Sequence, residues 1–184
     1  MNQKKTFTYA EKSEEKREKY LKDLAKIPEE KRVYVDESGV NQCFVREFGR
    51  AFRGEKVEDV KRGRHFQRTN VVAGRLGTRI VAPFCYVENM TGPLFTEWFR
   101  KILVKSVPKG STVIMDNASF HLKPKLKNLA RRHGIRLLFL PPYSPDFNPI
   151  EKTWASMKRA LADLLPQVKN LENAILFWLK NRNC

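Results

Sequence analysis

The chain has 184 residues, a length that suits one globular domain with a short appendage. Its 36 lysine and arginine residues against 20 acids give a formal net charge of +16, which favours a polyanionic partner, although a basic soluble protein without one could share this composition. No run of about 18 apolar residues and no signal-peptide-like N-terminus is present, so we expect a cytoplasmic protein that does not enter a membrane. The three cysteines form no C-x-x-C pair and indicate neither a disulfide framework nor a zinc site.

The N-terminal region differs in composition from the rest of the chain. Residues 11–26 are rich in glutamate and lysine, with favourable i,i+4 pairs such as Glu15 with Lys19. A helix there would end at Pro28. Because the segment has too few apolar residues to form a domain, we predict a charged helical linker or arm over residues 1–31 and one globular domain over residues 32–184.

The first half of the globular part has the pattern of antiparallel strands joined by turns. Short runs rich in β-branched and aromatic residues alternate with glycine-containing segments. These runs predict four strands, over residues 33–36, 42–48, 69–76 and 79–87.

The second half alternates helical and strand patterns, which implies parallel pairing. It predicts helices over residues 94–104, 122–133, 150–165 and 171–180, buried strands over residues 111–115 and 135–140, and a proline-rich loop over residues 141–149. The fold class is therefore α/β, a mixed sheet with helices on its faces.

Three acidic residues stand at positions where chemistry can occur. Asp36 and Asp116 each end an apolar run, and Glu151 opens a helix after a gap of 34 residues from Asp116. Strand ends in one sheet lie side by side. Carboxylate oxygens suit Mg²⁺ or Mn²⁺, and two such ions about 4 Å apart support in-line displacement at phosphorus. Together with the basic charge, the acids predict phosphodiester chemistry.

Each acid also has a purely structural interpretation. An aspartate after a strand is commonly a turn former. The run from Asn148 through Pro149 and Ile150 to Glu151 matches an N-cap followed by proline at N1 and glutamate at N3, a capping box. The two interpretations of Glu151 differ in where its carboxylate points.

Basic residues cluster near these acids. Residues 46–79 contain ten lysines or arginines against four acids, and residues 117–145 contain no acid at all. Helical spacing places Lys123, Lys127 and Arg131 on an exposed face opposite the leucines of their helix. This face is either ordinary solvated surface or a track for a DNA backbone.

Three sequence blocks together resemble the signature motifs of the DDE transposases of the mariner-like superfamily, and more closely their bacterial insertion-sequence relatives. The blocks are VDESG at 35–39, MDNASFH at 115–121 and YSPDFNPIEKTW at 143–154. The resemblance implies a ribonuclease-H-like fold with a mixed sheet of five strands, or slightly more, flanked by helices. It implies that Asp36, Asp116 and Glu151 are catalytic acids that bind Mg²⁺ or Mn²⁺, two ions in all. Asn117 and His121 match accessory positions, His121 either contacting phosphate or packing.

The resemblance also implies a function and partners. It implies a transposase catalytic domain that cleaves double-stranded DNA at transposon ends and transfers the strand to a target, acting as a homodimer in the bacterial cytoplasm, on the nucleoid when bound to DNA. Family members usually carry a helix-turn-helix region ahead of this domain, so we expect a separately encoded upstream DNA-binding segment. Another ribonuclease-H-like nuclease and a non-catalytic DNA-binding remnant remain as alternatives.

Overall fold

The structure, a computed structural model, describes residues 13–40, 68–164 and 170–182. The strand predicted over residues 42–48, most of the basic segment 46–79, and Cys43 and Cys184 lie outside the described residues. The described strands are β1 (Arg32–Val40), β2 (Thr69–Leu76), β3 (Arg79–Tyr86), β4 (Thr112–Met115) and β5 (Arg136–Phe139). The described α-helices are α1 (Glu14–Ala25), α2 (Gly92–Trp98), α3 (Val104–Ser106), α4 (Lys123–Arg132), α5 (Ile150–Leu164) and α6 (Leu171–Arg182). None of the described helices is long and apolar enough to span a bilayer.

The strands form one mixed sheet in the order β3-β2-β1-β4-β5. The pairs β1–β2 and β2–β3 are antiparallel, whereas β1–β4 and β4–β5 are parallel. The meander followed by parallel crossovers is the topology predicted from the sequence, and the mixed five-stranded sheet is confirmed.

Helices cover both faces of the sheet. One face carries α2, a π-helical turn at Phe99–Leu103, α3 and α4, and its core includes Val35, Phe95 and Leu126. The opposite face carries α5 and α6 over the β1–β3 side. On the β4–β5 side of that same face, Tyr20 of α1 packs with Ile114 and Leu140.

The helix predicted in the N-terminal region is present, but it is not a detached arm. It starts after the N-cap Ser13, whose side chain accepts from the Lys16 backbone N–H, and it buries Tyr20 to 4% exposure. Ile27, just beyond the helix, is 7% exposed. Few apolar side chains attach this charged helix to the domain, which is why composition alone suggested a linker. The division of the chain at residue 32 stays a prediction.

Two strand predictions need correction. β1 was predicted to end at Asp36, but its antiparallel pairing with β2 continues to Val40, opposite Thr69. Asp36 is therefore a mid-strand residue. β5 was predicted to be buried, but it is the edge strand, with Arg136 exposed and the next three residues half-buried. A short apolar run cannot distinguish an edge strand that borders a helix from a central strand.

Candidate active site

Asp36 and Asp116 are brought together by parallel pairing. The last residues paired between β1 and β4 are Tyr34 and Ile114, so Asp36 and Asp116 each lie two residues beyond the same rung. β4 ends at Met115 and its chain turns away, whereas β1 continues along β2. One aspartate thus follows a strand and the other remains in one.

Glu151 lies on the first turn of α5, the helix that packs on one face of the sheet. One face of this helix is buried, with Ile150, Trp154, Met157 and Leu161 all at 2% exposure or less. The side chains of Asp36, Asp116 and Glu151 line one cleft of about 300 Å³, which we call the acidic cleft, together with Asn117 and parts of residues 140–148.

The capping-box interpretation of Glu151 is not supported. α5 begins at Ile150, and the Glu151 backbone N–H donates to the Asn148 carbonyl rather than to its side chain, at 3.2 Å. The buried Oδ1 of Asn148 has no hydrogen-bond partner among the described residues. The capping bond from the Glu151 backbone N–H to the Asn148 side chain is therefore missing, and Glu151 lines the acidic cleft.

Asp36 is the most buried of the three acids. Burial, the largest cause, and the nearby charges of Glu151 and Asp116 together raise its pKa to about 7, although hydrogen bonds from the Glu37 backbone and Trp154 act in the opposite direction. The Trp154 indole Nε1 donates to Asp36 Oδ2 at 3.0 Å. Because Trp154 lies one turn after Glu151, α5 supplies one acid and anchors another.

Asp116 is held by its own loop, residues 116–122, which we call the Asp116 loop. Its Oδ1 accepts from the Ala118 backbone N–H at 3.0 Å and from His121 Nε2 at 2.9 Å. The His121 bond is the largest cause of a lowered Asp116 pKa. An ionised carboxylate only accepts, so Nε2 must carry the imidazole proton.

His121 is a buried residue that orients Asp116. Its ring centre lies 4.4 Å from those of both Phe95 and Phe120, and Nδ1 has no partner among the described residues. Gly92, at the start of α2, makes this packing possible, since a Cβ there would stand 2.6 Å from the Phe120 carbonyl oxygen. Of the two roles left open for His121, the structure shows packing, together with a bond to Asp116 that the sequence did not indicate.

Asn117 links the Asp116 loop to the end of β5 and to Lys123 by side-chain hydrogen bonds. The Asn117 side-chain amide donates to the Leu140 carbonyl at 2.7 Å, and its oxygen accepts from Lys123 Nζ at 2.9 Å. Lys123 Nζ also lies 5.2 Å from the centre of the Phe139 ring. Lys123 is half-buried rather than fully exposed, because Asn117 and the ring are within its reach, and its contact with a DNA backbone stays a prediction.

The rest of the predicted basic face is exposed. Lys127 and Arg131 both point to solvent, while Leu126 and Ala130 of the same helix are buried. Arg131 also donates to Asn128 at 3.1 Å, within the helix. Whether this face contacts a DNA backbone stays a prediction.

The donor set of the acidic cleft suits a hard divalent cation. Three carboxylates converge from three separate segments, and both bonds to Asp116 described above fall on Oδ1. Within the described part of the chain, no three His, Cys, Asp or Glu side chains are grouped closely enough to hold an ion as they stand. The residues thus fit Mg²⁺ or Mn²⁺ in kind, and holding one would require the carboxylates to draw together.

Sequence reasoning missed several residues that shape the cleft. Trp154 was assigned no role from the sequence, although a buried indole N–H needs an acceptor and an acid three residues earlier marks the same helix face. Glu37, to which the sequence assigned no role, is half-buried and accepts from the Tyr86 hydroxyl at 2.7 Å. The contacts of Arg17 with residues 143–149 had no signal in the sequence, because 127 positions separate Arg17 from Ser144.

A match over most of the chain identifies the family. DDE superfamily endonuclease is the family that matches residues 31–173, well over half of the chain. The chain belongs to this family. The DDE endonuclease match contains all three acids of the cleft, and the resemblance seen in the sequence blocks is confirmed.

A curated relative of this DDE endonuclease comes from Sinorhizobium fredii (strain NBRC 101917 / NGR234). The uncharacterized protein y4pE/y4sA is 37% identical over 84 residues, which are 45% of this chain and 56% of that protein. The chain therefore matches only a little over half the length of this relative.

Solved structures share the fold of this DDE endonuclease. The Mos1 transposase paired-end complex with left transposon end gives a TM-score of 0.67 at 16% identity and covers 88% of this chain and 53% of that one. The Mos1 catalytic domain with Raltegravir and Mg gives 0.60 at 15%, covering 90% and 77%. The catalytic core of BIV integrase gives 0.50 at 14%, covering 82% and 81%. At these identities the likeness shows the fold, and the predicted ribonuclease-H-like architecture is confirmed.

Proposed function

We propose that this DDE endonuclease is a transposase catalytic domain that cleaves DNA strands at transposon ends and joins the freed 3′-hydroxyl to target DNA. The observation that carries the proposal is the acidic cleft, in which carboxylates from β1, the Asp116 loop and α5 converge in a chain of net charge +16. Neither feature alone is specific, but clustered carboxylates would repel a polyanion unless divalent cations lay between them.

The similar structures support this choice of substrate and cation. Mos1 has been solved with its left transposon end, with Mn and with Mg. This chain covers 53% of the Mos1 chain in the paired-end complex. Binding of transposon ends enters the proposal with the support of these complexes. Pairing of two protomers and a separately encoded DNA-binding segment are further parts of the proposal.

Each residue of the cleft has a role in the proposal. Asp36, Asp116 and Glu151 would hold Mg²⁺ or Mn²⁺, which when bound makes water or a 3′-hydroxyl a better nucleophile and stabilises the leaving oxygen. Trp154 fixes Asp36, and His121 fixes Asp116. Since water and a DNA hydroxyl are the nucleophiles, no covalent protein intermediate is needed.

Basic residues would hold the DNA. α4 begins directly after the Asp116 loop, and its Lys123, Lys127 and Arg131 are the cations that we propose to contact the DNA backbone; Lys127 and Arg131 are exposed. Such contacts position a duplex without reading its sequence. We therefore expect this chain alone to bind duplex DNA weakly and without sequence preference.

The test is a cleavage and joining assay with the purified chain. One substrate is a plasmid that carries the DNA flanking the coding sequence, and the other is a duplex oligonucleotide with a recessed 3′-hydroxyl. We expect nicking that requires Mg²⁺ or Mn²⁺, joining of the oligonucleotide to plasmid, and loss of both in Asp116→Asn. Cleavage without joining would favour another ribonuclease-H-like nuclease. DNA binding without any cation-dependent cleavage would leave a non-catalytic remnant.

A further inference from the structure

Residues 143–149, which lead to Glu151, form a segment that we call the Glu151 loop. Arg17 of α1 makes hydrogen bonds to this loop. Arg17 Nη1 donates to Ser144 Oγ at 2.8 Å and to Asp146 Oδ1 at 3.2 Å, and Nη2 donates to Asp146 Oδ2 at 2.7 Å. The guanidinium carbon lies 4.0 Å from the centre of the Phe147 ring. A bidentate fork combined with a ring contact fixes direction as well as distance.

Tyr20 adds an apolar contact to the same loop. Its ring stacks on Phe147 with centres 5.3 Å apart and planes at 17°. The ring also packs with Ile114 of β4 and with Leu140, just after β5. Its buried hydroxyl has no partner among the described residues, so only the ring contributes to the contact.

The other end of α1 is tied to the strand that carries Asp36. Arg32, the first residue of β1, donates from Nε to the Ile27 carbonyl at 2.9 Å and from Nη2 to the Leu24 carbonyl at 3.1 Å. The helix therefore connects β1 with the Glu151 loop, two segments that supply different acids of the cleft.

Movement of the Glu151 loop would move the acid. Ser144 and Asn148 line the acidic cleft themselves, and the loop runs into α5, where Glu151 is the second residue. A misplacement of about 1 Å in a catalytic constellation can cost roughly a hundredfold in rate. The family match begins at residue 31, so α1 lies outside the region by which DDE endonucleases are recognised.

We propose that α1 is a positioning element of the active site, in which Arg17 and Tyr20 hold the Glu151 loop in register with the aspartates. The inference rests on the proposed function for its catalytic consequence, and on the contacts of Arg17 for its structural one. Arg17 and Tyr20 touch no substrate in this account. They act through Asp146 and Phe147 on the placement of Glu151.

The experiment compares variants of the complete chain. In Arg17→Ala we expect kcat for cation-dependent nicking to fall by about tenfold to a hundredfold, with KM for DNA within about twofold, because a positioning defect lowers the rate of the chemical step. Arg17→Ala combined with Asp146→Ala should be no worse than either alone. Tyr20→Phe keeps the ring and should behave as the unmodified chain, whereas Tyr20→Ala should behave as Arg17→Ala.

Arg100→Ala is the matched control. Arg100 forms a bidentate ion pair with Glu97, at 3.2 and 2.8 Å, on the π-helical turn after α2, and neither residue lines the acidic cleft. We expect this variant to nick DNA normally. If Arg17→Ala matched Arg100→Ala in kcat, α1 would have no positioning role.

Hydrogen exchange gives a readout that does not need activity. The backbone N–H groups of Phe147 and Asn148 donate to the carbonyls of Ser144 and Pro145. Arg17→Ala should speed exchange across residues 143–150 at least about fivefold and leave β1 and β4 unchanged, whether or not the chain cleaves DNA.

Unchanged exchange would overturn the proposal, while absent cleavage by the unmodified chain would instead overturn the proposed function. If Arg17→Ala does not fold, Arg17→Lys, which keeps the charge but loses the fork, is judged by the same two measurements.

Discussion

The Asp116 loop and the Glu151 loop both bring an acid to the cleft, but one is held by nearby residues and the other by distant ones. The Asp116 loop is braced from within, because Ala118 and His121, both within five residues of Asp116, supply the bonds to its carboxylate. The Glu151 loop is braced from outside. Arg17 bonds to Ser144 across 127 positions, and Arg75 of β2 donates to the Pro149 carbonyl across 74. The bonds to the Asp116 carboxylate come from its own motif. The Glu151 loop has short-range backbone bonds of its own, but the side chains that hold it in place reach it only when distant segments have folded together.

Replacing the acids themselves should have the largest effect, regardless of how each is held. Asp36→Asn, Asp116→Asn and Glu151→Gln should each lower cation-dependent nicking by about a thousandfold or more, since an amide is a poor ligand for Mg²⁺ and residues that act as a unit fail together. Circular dichroism melts should show folded proteins. A Glu151→Gln variant that cleaved normally but melted much earlier would return Glu151 to a capping role.

The next effect concerns the contact that joins the two sides of the cleft. Trp154→Phe keeps an aromatic ring but removes the donor to Asp36, so we expect nicking to fall by up to about a hundredfold, the usual range for the partner of a metal ligand. Trp98→Phe is the matched control, because Trp98 is equally buried at 2% and donates to the Ala82 carbonyl at 2.9 Å. Both variants should lose about 1–3 kcal/mol of unfolding free energy in urea titrations. Equal nicking by the two would show that the bond to Asp36 is structural only.

Removing the His121–Asp116 hydrogen bond within the Asp116 loop should lower nicking less than the Trp154 change. His121→Phe keeps the packing against Phe95 and removes the bond to Asp116, whose side chain is 56% exposed, so water can replace part of that bond. We expect nicking to fall about tenfold. The melting temperature should hold or rise, because the unpartnered Nδ1 is removed as well. His121→Gln retains a side-chain donor and should recover part of the activity. Identical values for the two variants would mean that the histidine only packs.

The contrast between the loops also explains what could be predicted from sequence. The order of the described elements follows from local patterns and is present, and the three acids expected to lie together line one cleft. The true end of β1 depends on its pairing with β2, and the partner of the Trp154 indole depends on a strand 118 positions away. α1 appeared to be a linker because its composition does not reveal that Arg17 finds Asp146. Local periodicity carries information about contacts within a few residues, and long-range pairing of charged groups leaves no comparable signal.

The smallest effect should come from charges that belong to neither loop. Lys127 and Arg131 are exposed on α4, so Lys127→Gln and Arg131→Gln should each weaken duplex binding only two- to threefold at moderate salt, equally for all sequences. If each cation neutralises one phosphate, the slope of log affinity against log salt should become shallower by roughly 0.9 per substitution. Fluorescence anisotropy of a labelled duplex across a salt series measures this. Lys101→Gln is the control, since Lys101 is paired with Glu97 at 3.0 Å and its loss should leave the slope nearly unchanged. A slope unaffected by Lys127→Gln and Arg131→Gln would place the DNA track elsewhere, while nicking rates at saturating DNA should stay normal because neither substitution moves an acid.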